Sequence, residues 1–142
     1  MPRAERSIEF NASPQDCYAI IKDVAKYPEF VGDLKAVRVL DQKGERLKAE
    51  FTVTIVKEVK YTLELWGTPG KSFEWTLVEG FMKKNNGLWT LVDLGDGRTR
   101  ATYAVELELP MLVPKTVVKV LLEQSFPKML QQFKERIEAS VT

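Results

Sequence analysis

The sequence predicts an α+β domain in which a curved antiparallel sheet of about seven strands wraps around a long C-terminal helix. Two short helices are expected after the first strand. Three observations carry this. From Leu34 to Leu109, apolar and polar residues alternate with period two, segment after segment, as in an antiparallel sheet with one solvated face. Before that stretch, Ser13–Phe30 holds helix-start and helix-break signals between strand-like segments. After it, Pro114–Ala139 keeps an apolar stripe at helical spacing.

The elements follow in order. Arg6–Asn11 reads as a strand with Ile8 and Phe10 on one face. Ser13 is a helix N-cap, Pro14 suits the first helical position and Asp16 completes a capping box. Tyr18, Ile21 and Ala25, with Cys17, Ile20 and Val24 alongside, form the apolar side of that helix. Tyr27-Pro28 is expected to break it, because proline disfavours helical geometry at the preceding residue. A second turn then starts at Pro28 and ends at Gly32-Asp33.

Four alternating runs supply inner-face residues. They are Leu47, Ala49, Phe51, Val53 and Ile55; Val59, Tyr61, Leu63 and Leu65; Phe73, Trp75 and Leu77; and Thr99, Ala101, Tyr103, Val105, Leu107 and Leu109. Asp41–Glu45, Pro69-Gly70-Lys71 and Gly95-Asp96-Gly97 punctuate the strands. Asn86-Gly87 is a hairpin signal taken alone. The turn is instead expected at Glu79-Gly80, with Gly87 a bulge or close-approach glycine that leaves Trp89 and Leu91 facing inward. In the last helix, Pro127 is expected to impose a kink, and Val118, Leu122, Phe126, Met129, Phe133 and Ile137 form the stripe.

Bulk properties exclude several function classes. The 142 residues suit one domain spanning 1–142, with a core large enough to need no disulfide. Twenty-one basic residues nearly balance 20 acidic ones, so no overall basic field invites DNA. The chain has no histidine and one cysteine. That removes histidine general bases, Ser–His and Cys–His pairs, histidine metal sites and thiolate-only zinc or iron–sulfur sites. EF-hand, P-loop and dinucleotide glycine patterns are absent from the sequence. No metal, cofactor or catalytic residue is assigned. The single cysteine favours a reducing compartment, and neither a signal peptide nor a membrane span is legible, so a cytoplasmic location is expected.

The order of elements resembles the helix-grip arrangement of the Bet v 1/START-like folds. The segments Ala12-Ser-Pro-Gln-Asp-Cys-Tyr18, Asp23-Val-Ala-Lys-Tyr-Pro-Glu-Phe-Val31, Leu77-Val-Glu-Gly-Phe81 and Gly87-Leu-Trp89 extend the likeness to residues. On them the chain is similar to the START-like polyketide cyclase/dehydrase (SRPBCC) superfamily. Within it, the likeness is to the branch of the coenzyme Q-binding proteins and the ribosome-association toxin. The resemblance implies a hydrophobic small-molecule ligand, lipid or isoprenoid quinone-like, bound and carried in an internal cavity. The alternatives are a polyketide cyclase or dehydratase, and a protein-interaction module such as a ribosomal-subunit-binding protein.

A sheet curled around one helix leaves space between them, to be filled by side chains or by a ligand. The candidate wall comprises Phe51, Val53, Tyr61, Leu63, Phe73, Trp75, Leu77, Glu79, Trp89, Leu91, Tyr103 and Val105 from the sheet. Leu122, Phe126, Met129 and Phe133 face it from the helix. Tyr61 and Tyr103 each bring a hydroxyl that needs a partner once buried, and Asn85 shares the inner parity of Trp89. Glu79 is either a cavity acid of raised pKa or a strand-end carboxylate in water. Cys17 reads as a core residue. Met111, Leu112, Val113, Val117, Val120 and Leu121 form an apolar collar flanked by Lys115 and Lys119. The collar either meets a membrane surface or a protein partner, or packs under the Cys17–Phe30 connector. Trp66 points outward, and Lys83-Lys84 and Arg98–Arg100 read as solvated basic clusters. Oligomeric state is left open.

Overall fold

The position of the first strand forces the chain across the sheet. In this computed structural model, which describes residues 3–55 and 57–141, the strand order is β1-β7-β6-β5-β4-β3-β2. The strands are β1 (Arg3–Phe10), β2 (Leu34–Lys43), β3 (Arg46–Ile55), β4 (Lys57–Thr68), β5 (Ser72–Gly80), β6 (Lys84–Gly95) and β7 (Arg98–Glu108). All neighbours are antiparallel. β2 to β7 form a meander, but β1 adds to the far edge beside β7. The connector between β1 and β2 must therefore run from one edge to the other over a sheet face. Helical structure satisfies its backbone on the way. Helix α1 (Pro14–Ile21) accordingly touches β5, β6, β7 and the C-terminal helix.

Ser13 caps α1 as expected: its side chain accepts from the Asp16 backbone N–H at 3.2 Å, with Pro14 in the first turn. The break, however, falls earlier than Tyr27-Pro28. α1 ends at Ile21, and a 3₁₀ segment runs Val24–Glu29 with Pro28 inside it. Asp23, with φ −85° and ψ 67°, turns the chain. Ala25 is therefore exposed and does not extend the apolar side of α1. Tyr27, carried inward by the tighter segment, donates its hydroxyl to the Ile21 carbonyl left open at the end of α1.

The sheet holds two local irregularities that shape its concave face. β5 carries an extra residue, Val78, where Thr62 opposes Glu79 but Leu63 opposes Leu77. Gly80 opposes Tyr61 at the end of this bulge with φ 131°, and a Cβ there would lie 2.5 Å from the Tyr61 Cα. The second is Gly87 in β6. Its missing side chain leaves room for the Trp75 indole, which occupies the space a Cβ would take. Gly87 thus is the expected close-approach glycine, and Trp89 faces inward, 2% exposed.

The C-terminal helix is in three parts: α2 (Lys115–Val120), a π turn (Leu121–Ser125) and α3 (Phe126–Ala139). Pro127 has no N–H, and its ring opposes the carbonyl four residues back in regular α geometry. The irregularity is taken up just upstream, where the Phe126 N–H reaches the Leu121 carbonyl, five residues back. This rotates everything before it. The inward-facing stripe runs Val117, Leu121, Phe126, Leu130, Phe133, Ile137, with one step of five, and only its last three residues are buried. Val118 and Leu122, expected on the stripe, are turned to its side and half-buried.

Two apolar clusters result. The larger lies under α1 and α3 and includes Phe10, Cys17, Ile21, Phe73, Trp89, Phe133 and Ile137. The smaller, Ile55, Val59, Met82 and Leu107, lies at the other end, against Val113, Val117 and Leu121. Outside, Arg46 lies over the Trp66 ring at 5.0 Å. Lys84 pairs with Glu106, and Arg98 pairs with Glu9 at 3.2 Å.

The Gly87–Trp75 contact makes a direct prediction. Gly87→Ala should displace the Trp75 ring and lower stability by about 1–3 kcal/mol, the usual cost of overpacking. Urea unfolding followed by tryptophan fluorescence measures it. An unchanged midpoint would mean that the ring moves freely.

A candidate ligand cavity between sheet and helix

A cavity of about 160 Å³ lies where the two clusters meet. An apolar cavity of about this size is large enough for a benzene-sized molecule. Phe51, Val53, Tyr61, Leu63, Phe73, Trp75, Trp89, Tyr103 and Val105 line it from the sheet, and Phe126, Met129 and Phe133 from the helix. Phe51 and Tyr61 stack at 5.4 Å and 5° on one wall. Trp75 and Trp89 flank Tyr103 at 5.4 and 5.0 Å. Asp33, Ser125 and Gln132 complete the lining; Asp33 is exposed, which puts it at the rim.

Four expected wall residues stand elsewhere. Glu79 is exposed, because the Val78 bulge reverses the parity of the strand end and aligns Glu79 with Thr62 rather than Tyr61. Leu77 packs between the two clusters instead of opening on the cavity. Leu91, two residues past Trp89, is buried in the larger cluster and does not line the cavity. Leu122 is rotated away by the π turn, and Leu121 takes its place in the lining.

The collar divides in the same way. Val113, Val117 and Leu121 pack against the smaller cluster, while Met111, Leu112 and Val120 stay outside, 92%, 95% and 46% exposed. Packing beneath the Cys17–Phe30 connector is not what the inner three do.

Several lining residues were not singled out from the sequence: Tyr27, Val31, Asp33, Leu34, Ile55, Leu65, Met82, Leu107, Ser125 and Gln132. Ile55, Leu65 and Leu107 had the right strand parity. Tyr27 and Met82 sit in connectors, where period-two reading has no purchase.

Three polar side chains of this wall are hydrogen-bonded: Tyr27, Trp75 and Asn85. Trp75 Nε1 donates to Asn85 Oδ1 at 3.0 Å, and Asn85 Nδ2 lies 3.5 Å from Met82 Sδ. Cys17 is fully buried, and burial pushes its thiol up to about 11. It therefore stays protonated and unreactive at neutral pH. Burial likewise raises the phenols of Tyr27, Tyr61 and Tyr103. Among the described residues, no group of three potential metal ligands is clustered, and no helix is long and apolar enough to cross a membrane.

A more polar cleft of about 190 Å³ lies at the surface between α1 and the β2–β3 turn, lined by Lys22, Asp23, Glu45 and Phe73 among others. It lacks the enclosing aromatic wall of the first.

The family model for polyketide cyclase / dehydrase and lipid transport matches residues 10–134, which spans every wall residue of the cavity. The chain belongs to this polyketide cyclase/dehydrase and lipid transport family. It is 28% identical over 109 residues to the ribosome association toxin RatA of Vibrio cholerae, covering 76% of each chain. It is 26% identical over 120 residues to RatA of Pseudomonas aeruginosa, covering 84% of this chain and 83% of that one. The fold is shared with a START superfamily protein from Mycobacterium smegmatis: TM-score 0.83, 19% identity, 99% of both chains. It is also shared with the Zhui aromatase/cyclase from Streptomyces sp. R1128: TM-score 0.88, 14% identity, 99% of this chain and 96% of that one. The architecture is thus the START-like helix grip.

The buried acids in this family member set its alkaline limit. Folding holds the Cys17 thiol and the three phenols protonated beyond the pH at which they ionise in the open chain. Above that pH the folded state binds more protons than the unfolded state, so stability falls as pH rises. Their contribution should be complete at pH 7 and decline from about pH 9 upward, first through the thiol and then the phenols. Urea midpoints across pH 7–11, with tyrosinate absorbance at 295 nm, measure this. A flat profile would contradict it.

Proposed function

We propose that the chain binds and carries a hydrophobic small molecule, a lipid or isoprenoid quinone-like compound, in the cavity between sheet and helix. The observation that carries this reading is the wall: an aromatic and aliphatic lining on a space left open in the core, with its charged residue, Asp33, only at the rim. Solid packing would have closed that space. The volume suits a ring-sized head group, so a long tail leaves past Asp33, Ser125 and Gln132. Carriage is favoured over catalysis because no carboxylate pair and no nucleophile–base pair lines the cavity among the described residues. The alternative of a polyketide cyclase or dehydratase rests on the family name. A cytoplasmic location fits the single, buried cysteine.

Organic extraction of the purified protein followed by mass spectrometry should recover a retained apolar compound. Trp89→Ala, checked for folding by far-UV circular dichroism, should lower retention several-fold. Unchanged retention in the folded variant would put the ligand elsewhere.

A carrier needs a contact surface, and Met111, Leu112 and Val120 beside Lys115 and Lys119 offer one. Apolar tips flanked by lysines suit an anionic lipid surface. The second reading, a ribosomal-subunit partner, is supported by the relatives named ribosome association toxin. Met111→Asp with Leu112→Asp should abolish flotation with vesicles containing phosphatidylglycerol. Cosedimentation of the wild type with ribosomal subunits, without flotation, would favour the second reading.

A further inference from the structure

The sheet has two edges, β1 and β2, and they are finished differently. At the β1 edge, α3 reaches the strand end: Lys134 Nζ donates to the Glu9 carbonyl at 2.9 Å, and Glu138 accepts from the Asn11 N–H at 2.8 Å. Along the β2 edge, no main-chain hydrogen bond leaves Lys35–Lys43 for anything but β3 among the described residues. The 3₁₀ segment packs near β2, but the polar cleft lined by Val39 and Gln42 opens between them. Val39 and Leu40 stand on this edge, 38% and 44% exposed. Among the described residues, they and Met111-Leu112 are the only exposed large apolar residues adjacent in sequence. An uncovered strand edge is a template for another strand, and apolar side chains on it favour the pairing.

The bulge at Leu40 decides which strand fits. Arg38 and Asp41 are three residues apart, so a regular strand would put them on opposite faces. The register shift between Val39 and Asp41 instead sets them opposite Glu50 and Lys48, two residues apart on β3. Both therefore lie on the convex face. Arg38 is exposed and rests on Glu50 at 3.5 Å. Asp41 Oδ1 accepts from the Gln42 N–H at 2.9 Å, and the carboxylate is in no ion pair among the described residues.

A second copy laid antiparallel along this edge, about a two-fold axis at Val39-Leu40, sets its Asp41 opposite Arg38 and its Arg38 opposite Asp41. Both charge pairs then form on the convex face, and Val39 and Leu40 of the two copies meet at the axis. Slipping the pairing by one residue either way breaks both charge pairs. A bulge ordinarily protects an edge, because a regular strand cannot follow it. Here bulge meets bulge, so the irregularity admits a copy of β2 and disfavours a regular edge.

We infer that β2 is the interface of a symmetric dimer, in which a second copy of this chain adds its own β2 through Val39-Leu40 and the reciprocal Arg38–Asp41 pairs. The two sheets join into one. The interface is short, so the dimer forms with concentration and is not permanent. It does not depend on what the cavity holds. It also lies across the sheet from the β7–α2 connection that carries Met111-Leu112.

Sedimentation equilibrium of the full chain from about 10 μM to about 1 mM reads the dimer directly. The wild type should pass from monomer to dimer over this range. Arg38→Asp and Asp41→Arg should each weaken association at least about tenfold, because each turns both charge pairs into like charges. An equimolar mixture of the two variants, each checked for folding by far-UV circular dichroism, should recover wild-type association. In the mixture, the carboxylates of one variant face the cations of the other. Met111→Asp with Leu112→Asp should dimerise as the wild type does. A wild type that stays monomeric throughout overturns the proposal. So does either charge variant dimerising like the wild type, or a mixture no stronger than its components. Loss of the dimer in the Met111→Asp, Leu112→Asp variant would overturn it in favour of an interface at that tip.

Discussion

The ring of Phe133 is the point on which sheet, connector and helix converge. It meets Tyr27 at 5.1 Å, Phe30 at 5.0 Å and Trp89 at 5.3 Å, near-perpendicular to the first two. Edge-to-face pairs of this kind contribute beyond the area they bury. Through them a single helical residue fixes how far α3 stands from the concave face. Trp89 belongs to the sheet, and Tyr27 and Phe30 to the 3₁₀ segment and its end. The cavity begins where this aromatic packing stops.

The two ends of the C-terminal helix are consequently unequal. α3 buries Leu130, Phe133 and Ile137, and polar ties reinforce it: Arg136 to Glu29 at 2.7 Å, Lys134 to the Glu9 carbonyl at 2.9 Å, and Glu138 to the Asn11 N–H at 2.8 Å. No residue of α2 or the π turn is buried. Segments with few buried contacts open at lower free-energy cost than core elements. The half of the helix over the smaller cluster is therefore the softer half, and it borders both the cavity and the exposed Met111-Leu112 tip.

Much of the wall was legible in the sequence because period-two alternation assigns a face without knowledge of contacts. Phe51, Tyr61, Trp75, Trp89 and Tyr103 follow from parity alone. Parity fails where the count of residues changes. One extra residue, Val78, sends Glu79 to solvent and takes from the cavity the carboxylate that acid catalysis would need. One wide turn exchanges Leu122 for Leu121. The engaged or open state of a tyrosine hydroxyl was not legible either. Tyr18 and Tyr61 look alike in sequence, yet one finds Glu45, brought close by the β2–β3 turn, and the other lines the cavity.

By itself the sequence determined the class of fold, the capped first helix, the inner face of most strands and the absence of histidine chemistry. Those depend on local periods, caps and residue types, which act over a few neighbouring positions. Tertiary structure decided where the 3₁₀ segment begins, which face of the last helix looks inward, and that space remains between helix and sheet. These depend on how the irregularities near Val78, Gly87 and Pro127 are accommodated by distant partners. A proline announces that a helix must yield, but only the packing of Leu121 and Phe126 against the sheet sets where it does.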